Sequence, residues 1–282
     1  MADVQAQPTA SLATSSFRDP NSVVRKVEGR VVRTVEPKAA AALAAFLDNP
    51  VHEGLIEDGL IHRPASIERA DDGRLILEHR EIDAWSYPYE WSWSMLRDAA
   101  LLHLEILVRC APIGFTMSDA TSFNVTFAGA RPVFIDHGSF VRREDDEPWW
   151  AYTQFCEHFL YPLLVSSHTG ADLQMLLRGG FGRVSLNDAH GLLRTHKRKK
   201  GVVKHVLLAH AAATKSDMSV DEVSETTSAA MTTAIYTNIL TGLQKLLRQL
   251  QPHGSASTWS DYATRSHYSD CLLYTSPSPR DS

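Results

Sequence analysis

The sequence has few cysteines, no long apolar run and no excess of positive charge, and each absence excludes a class of protein. Its three cysteines, Cys110, Cys156 and Cys271, stand far apart, so they form neither a disulfide framework nor the paired spacing of a zinc or redox motif. No apolar stretch approaches the roughly 18 residues that a membrane helix requires. The formal net charge of -5 provides no positive field that would attract nucleic acid or an anionic membrane. We therefore expect a cytoplasmic protein without nucleic-acid or membrane partners.

The predicted elements are those of an α+β protein whose β-rich part precedes its helical part. Strands are predicted at residues 23–27 and 30–35, where β-branched residues flank a Glu-Gly turn. A proline opens a predicted helix over residues 37–47, and helical periodicity predicts another over 94–110. Mostly helices are predicted after residue 149. Because a small β-rich lobe followed by a helical lobe is the arrangement of protein kinases, we predict a bilobal kinase-like fold.

One segment in the middle of the chain carries a pattern that indicates chemistry. Asp119 and Asn124 stand with four residues between them, and a predicted hairpin then leads to Asp136-His137-Gly138. Protein kinases have the same succession of Asp, four residues, Asn, hairpin and Asp-Phe-Gly. Phosphoryl transfer needs a carboxylate near the acceptor hydroxyl and metal ions that bridge phosphate oxygens. We therefore predict Asp119 as the catalytic base or acceptor-orienting group, and Asn124 and Asp136 as ligands of Mg²⁺.

Other parts of an ATP site are not visible in the sequence. No glycine-rich phosphate loop and no Val-Ala-Ile-Lys motif is present, and Met-Ser stands where kinases have His-Arg. Lys26 or Arg33 would supply the cation that binds phosphate. Glu53 or Glu57 would be the partner of that cation on a helix. The alternative is that these are ordinary surface charges, and that the domain is a pseudokinase that keeps the scaffold without the transfer.

The two central acidic residues also allow a plainer interpretation. Asp119 would cap a turn and Asp136 would end a strand, as aspartates often do. An aromatic cluster before the long predicted helix leaves two alternatives open as well, because it either stacks on a nucleotide base or packs between the lobes. This cluster consists of Trp85, Tyr87, Tyr89, Trp91 and Trp93.

The sequence resembles a bacterial protein family along nearly all of residues 17–270. The shared motifs are Phe-Arg-Asp-Pro at 17–20, Tyr-Pro-Tyr-Glu-Trp-Ser at 87–92, Asp-Ala-Thr-Ser-Phe-Asn at 119–124, Pro-Val-Phe-Ile-Asp at 132–136 and Tyr-Thr-Gln-Phe-Cys at 152–156. They resemble the N-terminal half of large class I SAM-dependent methyltransferases, some of which are called nodulation-protein-like. Residues 259–262 and 267–270 resemble the approach to the SAM-binding domain. The resemblance implies a covalently linked methyltransferase domain beyond this chain that binds S-adenosylmethionine, since no glycine-rich SAM loop follows a strand here.

Composition and resemblance together predict the organisation of the chain. We expect residues 1–16 to be disordered, 17–252 to form the kinase-like domain and 253–270 to be a linker toward the methyltransferase domain. Residues 271–282 read as a translation of a transposase sequencing adapter, so we expect the native sequence to stop near Asp270. A disordered tail rich in proline and serine is the alternative for this last segment.

Two functions from different classes are compatible with these features. The first is an ATP- and Mg²⁺-dependent phosphotransferase that acts on a small-molecule or sugar-like acceptor. The second is a catalytically inactive module that binds substrate or presents it to the methyltransferase domain. A basic side chain that reaches the cleft opposite Asp136 would favour the first.

The adapter interpretation predicts that the last twelve residues contribute nothing to folding. Deletion of residues 271–282 should leave the free energy of unfolding unchanged within about 0.5 kcal/mol, the usual scale of neutral surface changes. Urea denaturation of the full and shortened chains measures this. Unfolding of the shortened chain would show instead that the tail is native.

Overall fold

The computed structural model describes residues 11–12, 21–27, 29–82, 85–144, 147–194 and 231–254. The predictions made for residues 255–282, and for a helix near residues 202–213, lie outside these ranges. Within the described ranges, no helix combines the length and the apolarity that crossing a membrane requires.

An antiparallel five-stranded sheet forms the N-terminal part. Its second and third strands pair on either side of the predicted turn, and Gly29 adopts a φ of 75° that most other residues avoid. Ser11 and Leu12 pair with the edge of the second strand, although they fall in the segment predicted to be disordered. The strands are β1 (Ser11–Leu12), β2 (Ser22–Val27), β3 (Arg30–Val35), β4 (Ser66–Arg69) and β5 (Leu75–Arg80), in the spatial order β1-β2-β3-β5-β4.

Two short helices connect β3 to β4 and cover part of the sheet. α1 (Pro37–Leu47) begins with the predicted proline, and its buried face includes Phe46. α2 (Pro50–Glu57) also begins with a proline, and the Asn49 side chain caps it by accepting a hydrogen bond from the Val51 amide at 2.9 Å. The buried face of α2 includes His52, which becomes important below.

A long central helix, α3 (Trp93–Cys110), lies in the middle of the core. The Ser92 hydroxyl caps its N-terminus, and most of its apolar side chains are buried, as the helical periodicity predicts. After α3 the chain forms β6 (Phe115–Met117), the hairpin of β7 (Val125–Ala128) and β8 (Arg131–Phe134), and then β9 (Phe140–Arg142), which pairs with β6.

Helices form the described remainder of the chain. The helix predicted from residue 149 begins at Tyr152 and has a wider π-helical segment in its middle. The elements are α4 (Tyr152–Phe155), the π-helix (Cys156–Leu160), α5 (Tyr161–Thr169), α6 (Leu173–Gly179), α7 (Leu186–Leu193) and α8 (Thr233–Gln249). A β-rich part followed by a helical part confirms the predicted α+β class.

The two parts are joined by backbone as well as by side chains. Ile61, after α2, forms a parallel bridge with Phe134 of β8. The Phe134 amide donates to the Leu60 carbonyl at 2.9 Å, and the His62 amide donates to the Phe134 carbonyl at 2.8 Å. Because Phe134 lies two residues before Asp136, these bonds hold the predicted metal loop against the N-terminal part.

Candidate functional site

The β7–β8 hairpin places Asn124 and Asp136 side by side. Asn124 ends a short 3₁₀ turn immediately before β7, and one residue, Ile135, separates Asp136 from the end of β8. The Ile135 amide donates to the Asn124 carbonyl at 2.9 Å, which continues the strand pairing past the end of β8. Residues that flank a hairpin at its open end are neighbours by construction.

The Asn124 side chain lies between the two aspartates. Its amide nitrogen donates to Asp119 Oδ1 at 2.7 Å and to Asp136 Oδ2 at 3.3 Å. All three side chains are partly buried. The convergence that the sequence predicts is therefore observed, with oxygen-bearing groups of the kind that Mg²⁺ prefers.

Arg33 brings a positive charge from the sheet into the same place. Its guanidinium forms an ion pair with Asp136 Oδ1, and it also donates to the Ser22 hydroxyl at 3.0 Å. The two charged side chains are only 16% and 19% exposed, so water weakens their attraction less than it does for surface pairs. A methyl group at Gly138 would collide with the Arg33 guanidinium, so the glycine of the Asp-His-Gly motif makes room for this cation.

Backbone contacts fix the loop that carries Asp136. Asp136 Oδ1 accepts from the Gly138 amide at 3.2 Å, and the Ser139 hydroxyl donates to the Asp136 carbonyl at 2.9 Å. The Ser118 amide donates to the Ser139 carbonyl at 2.8 Å. Since Ser118 precedes Asp119, this last bond also fixes the distance between the two halves of the site.

The remaining predicted nucleotide-binding residues lie elsewhere. Lys26 forms an exposed ion pair with Glu81, and Glu53 forms an exposed ion pair with Arg63. Glu57, at the end of α2, is exposed. Lys26 and Arg33 were the two cations predicted to bind phosphate, and the structure brings only Arg33 to Asp136. Neither glutamate of α2 pairs with Arg33.

A cluster of four histidines lies behind the site and was missed by the sequence reasoning. The ring of His137 lies 4.9 Å from that of His79 on β5 and 5.7 Å from that of His52 on α2, measured between centroids. Nδ1 of His79 lies 3.3 Å from Nδ1 of His62. Only His137 belonged to a recognised motif, because the others are far apart in sequence. Within the described ranges, no three His, Cys, Asp or Glu side chains are arranged to hold a metal ion, so packing rather than ligation describes this cluster.

Burial keeps these histidines uncharged. It lowers the pKa of His79 to about 4, with the nearby His62 and Arg33 adding to the effect, and it lowers the pKa of His137 well below its usual value. Burial also lowers the pKa of His52 and of His62. The junction between the sheet and the loop of Asp136 therefore contains imidazoles whose charged form is disfavoured, beside one permanent cation.

One end of the aromatic cluster is buried and the other end is exposed. Trp91 is fully buried and its indole packs edge-on against Phe127, whereas Trp85 and Tyr87 are 46% and 43% exposed. Tyr87 and Tyr89 stack at a centroid distance of 5.4 Å. The buried end of the cluster belongs to the core, and the exposed end leaves aromatic faces open to solvent.

Two further residues contact the site from the helix that begins at Tyr152. Gln154 and His158 contact the loop between Asp119 and Asn124. The sequence signal that could have found Gln154 is the Tyr-Thr-Gln-Phe-Cys motif at 152–156, which resembled a family motif without an assigned role.

Comparisons with known proteins give one clear relative. The chain is 31% identical over 273 residues to the nodulation protein NoeA of Rhizobium meliloti (strain 1021). The match covers 94% of this chain but 57% of NoeA, so the chain spans little more than half the length of that relative. This supports the predicted likeness to nodulation-protein-like proteins, whereas the methyltransferase class stays a prediction. No protein-family model matches the chain.

Solved structures similar to this chain are protein kinases. A double mutant of the PknI kinase domain of Mycobacterium tuberculosis matches 49% of this chain and 64% of its own, at 12% identity and a TM-score of 0.28. The vaccinia related kinase 3 matches 50% of this chain and 54% of its own, at 10% identity and a TM-score of 0.34.

The buried histidines should make folding sensitive to acid. Because their pKa values are lowered in the folded state, the unfolded chain binds protons first, so stability is complete above pH 6.5 and falls as the pH drops toward 4. His79 by itself should account for about 3 kcal/mol of this loss. Urea denaturation between pH 8 and 4 should show a shallower loss for His79→Gln than for wild type, with the exposed His253→Gln as control. Parallel curves for wild type and His79→Gln would contradict this account.

The Arg33–Asp136 ion pair should show a large coupling energy. In a double-mutant cycle of Arg33→Met and Asp136→Asn, we expect a coupling energy of about 1–3 kcal/mol. Each single change leaves the other, partly buried side chain without its ion-pair partner. The exposed pair Arg63→Met and Glu53→Gln is the matched control and should couple by less than about 1 kcal/mol. Equal couplings in the two cycles would show that the Arg33 pair is an ordinary surface contact.

Proposed function

We propose that this chain is a kinase-like domain that transfers a phosphoryl group from ATP, with Mg²⁺, to a hydroxyl of a small-molecule acceptor. The observation that carries the proposal is that two carboxylates, one amide and one guanidinium meet where the sheet adjoins the helical part. Phosphoryl transfer depends mainly on positioning and on charge stabilisation, and these are the groups that supply both.

The bilobal kinase-like fold is part of the same proposal. The five-stranded sheet with α1 and α2 would be the small lobe, and α3 with the later helices would be the large lobe. The element order and the hairpin between Asn124 and Asp136 support this division. The ion pair of Arg33 with Asp136 then crosses from one lobe to the other, where a nucleotide would lie.

The residues present fit a magnesium ion that is bound together with phosphate. Mg²⁺ is commonly held by one or two carboxylates plus substrate oxygens rather than by a complete protein cage. Asp136 would hold it through its carboxylate, and Asn124 through its amide oxygen, once the amide turns over from the orientation in which its nitrogen donates to both aspartates. The ion would neutralise charge on the phosphate oxygens.

Arg33 and Asp119 take the remaining roles. Arg33 would leave Asp136 for the phosphate oxygens, which a planar guanidinium can bind through two parallel hydrogen bonds. Asp119 would accept the proton of the acceptor hydroxyl as its oxygen bonds to phosphorus and the bond from phosphorus to ADP breaks. Lys26 and Glu53 would take no part, because the structure pairs them with Glu81 and Arg63 rather than with the acidic residues of the site.

One observation favours the second candidate, an inactive module that binds substrate or presents it to a methyltransferase domain. Arg33 pairs with Asp136, and the Asn124 amide nitrogen donates to both aspartates, so both carboxylates already have partners within the protein. A pseudokinase that retained the scaffold would look like this. The NoeA relative is much longer than this chain, and the linked SAM-dependent methyltransferase domain belongs to the proposal for the whole protein.

Nucleotide binding should stabilise the chain against heat. ATP with Mg²⁺ at a hundredfold excess over the dissociation constant should add about 2.7 kcal/mol to the free energy of unfolding, since the ligand binds only the folded state. The Mg²⁺-dependent part of the shift should disappear in Asp136→Asn and persist in Asp119→Asn, in which only transfer should be lost.

Each variant is compared with its own melting temperature without ligand, because Asp136→Asn also removes an ion pair. Asp71→Asn, in the exposed β4–β5 turn, is the control and should respond like wild type. Absence of any shift at millimolar ATP in the folded wild-type chain would refute the phosphotransferase and favour the inactive module.

A further inference from the structure

The loop between Asp119 and Asn124 has few internal contacts: the Asn124 side-chain amide donates to Asp119 Oδ1 at 2.7 Å, and the Asn124 backbone amide donates to the Thr121 carbonyl at 3.2 Å. It contains one 3₁₀ turn, Ser122–Asn124, in which the Thr121 hydroxyl accepts from the Phe123 amide at 3.3 Å. The separation of Asp119 from Asn124 sets the geometry of the whole site. Short loops of this kind need partners outside themselves to stay in one conformation.

Gln154 of α4 provides the first outside partner. Its side-chain oxygen Oε1 accepts a hydrogen bond from the Ala120 amide at 2.7 Å. Ala120 is fully buried, so its amide would be left without an acceptor if this side chain were removed. The bond acts on the residue next to Asp119.

His158 provides the second partner, one turn later in the helix. Its Nδ1 lies 3.2 Å from the hydroxyl oxygen of Ser122, and both side chains are buried. Burial lowers the pKa of His158 to about 4, and the nearby Arg183 adds to this, so the imidazole is neutral at physiological pH. A neutral imidazole offers one donor and one acceptor, and His158 also bonds to the Gly182 backbone.

The segment around Gly182 packs against the loop on the same side as His158. The Phe123 ring meets His158 edge-on at 6.3 Å between centroids. Gly182 has a φ of 84°, and a methyl group there would collide with the Phe123 ring. Backbone, imidazole and aromatic ring therefore form a continuous support beneath the loop.

The local helix geometry explains why both residues reach the loop. Residues four apart on a helix lie on the same face. His158 lies in the π-helical segment Cys156–Leu160, and such segments occur often at functional sites.

We propose that Gln154 and His158 are positioning residues that hold Asp119 and Asn124 at the separation required for metal binding and transfer. The expected effect of these two residues on catalysis rests on the proposed phosphotransferase function, whereas their expected effect on the shape of the loop does not. The proposal assigns a role to the motif at residues 152–156. Hydrogen exchange tests the effect on the loop and kinetics test the effect on function, so either part can be refuted without the other.

Hydrogen exchange tests the effect on the loop. Gln154→Met keeps the length of the side chain but removes the strong acceptor, and Gln154→Glu retains it. The Ala120 amide should exchange about fivefold faster or more in Gln154→Met and stay near the wild-type rate in Gln154→Glu. Amides of β7 should be unchanged in both. His158→Leu and His158→Asn form the equivalent pair, since asparagine can bond to Ser122 where Nδ1 does.

Kinetics test the effect on function, with hydrolysis of Mg²⁺-bound ATP by water as the probe reaction. Gln154→Met and His158→Leu should lower kcat about tenfold or more and leave the dissociation constant of ATP within about twofold, because misplacement of reacting groups affects the chemical step more than binding. Gln154→Glu and His158→Asn should recover most of the rate. A residue that only stabilised the fold would not produce this separation between kcat and binding.

The outcomes are distinct. An Ala120 exchange rate that is unchanged in folded Gln154→Met overturns the proposal, as does faster exchange with an unaltered kcat. Should Gln154→Met fail to fold, the Gln154→Glu and His158 variants carry the same two comparisons. If the wild-type chain binds no ATP, the proposed function fails, and exchange at Ala120 still decides whether Gln154 fixes the loop.

Discussion

The ion pair between Arg33 and Asp136 is the contact on which the arrangement of the site depends. Arg33 belongs to the sheet, and Asp136 belongs to the loop after β8, so their contact joins parts that are a hundred residues apart in sequence. Gly138 leaves space beside Asp136 for the end of the Arg33 side chain. Around the pair, Asn124 links the second carboxylate, and the Phe134 backbone ties the hairpin to the segment after α2.

Histidine rings pack behind this pair. His52 and His79 both contact His137, the residue that follows Asp136. Burial makes any proton on them costly, and the positive Arg33 makes it more so. We therefore expect the same junction both to position the acidic site and to make the stability of the chain depend on pH. The nucleotide proposal and the acid sensitivity thus have one structural origin.

Support for the acidic loop comes from the helical side. Gln154 and His158 contact residues between Asp119 and Asn124, while Arg33 holds Asp136 from the sheet. Each of the two halves of the site is therefore anchored on a different part of the fold.

The sequence by itself determined the local elements and the spacing of the acidic site. Strand pairs, helix starts at prolines and the hairpin between Asn124 and Asp136 follow from short-range rules, since each depends on neighbouring residues. The choice of Arg33 over Lys26, the histidine cluster and the contacts of Gln154 were decided only by the tertiary structure. These contacts join residues far apart in the chain, and which of several similar charges faces inward depends on the packing of whole elements, which local sequence patterns do not encode.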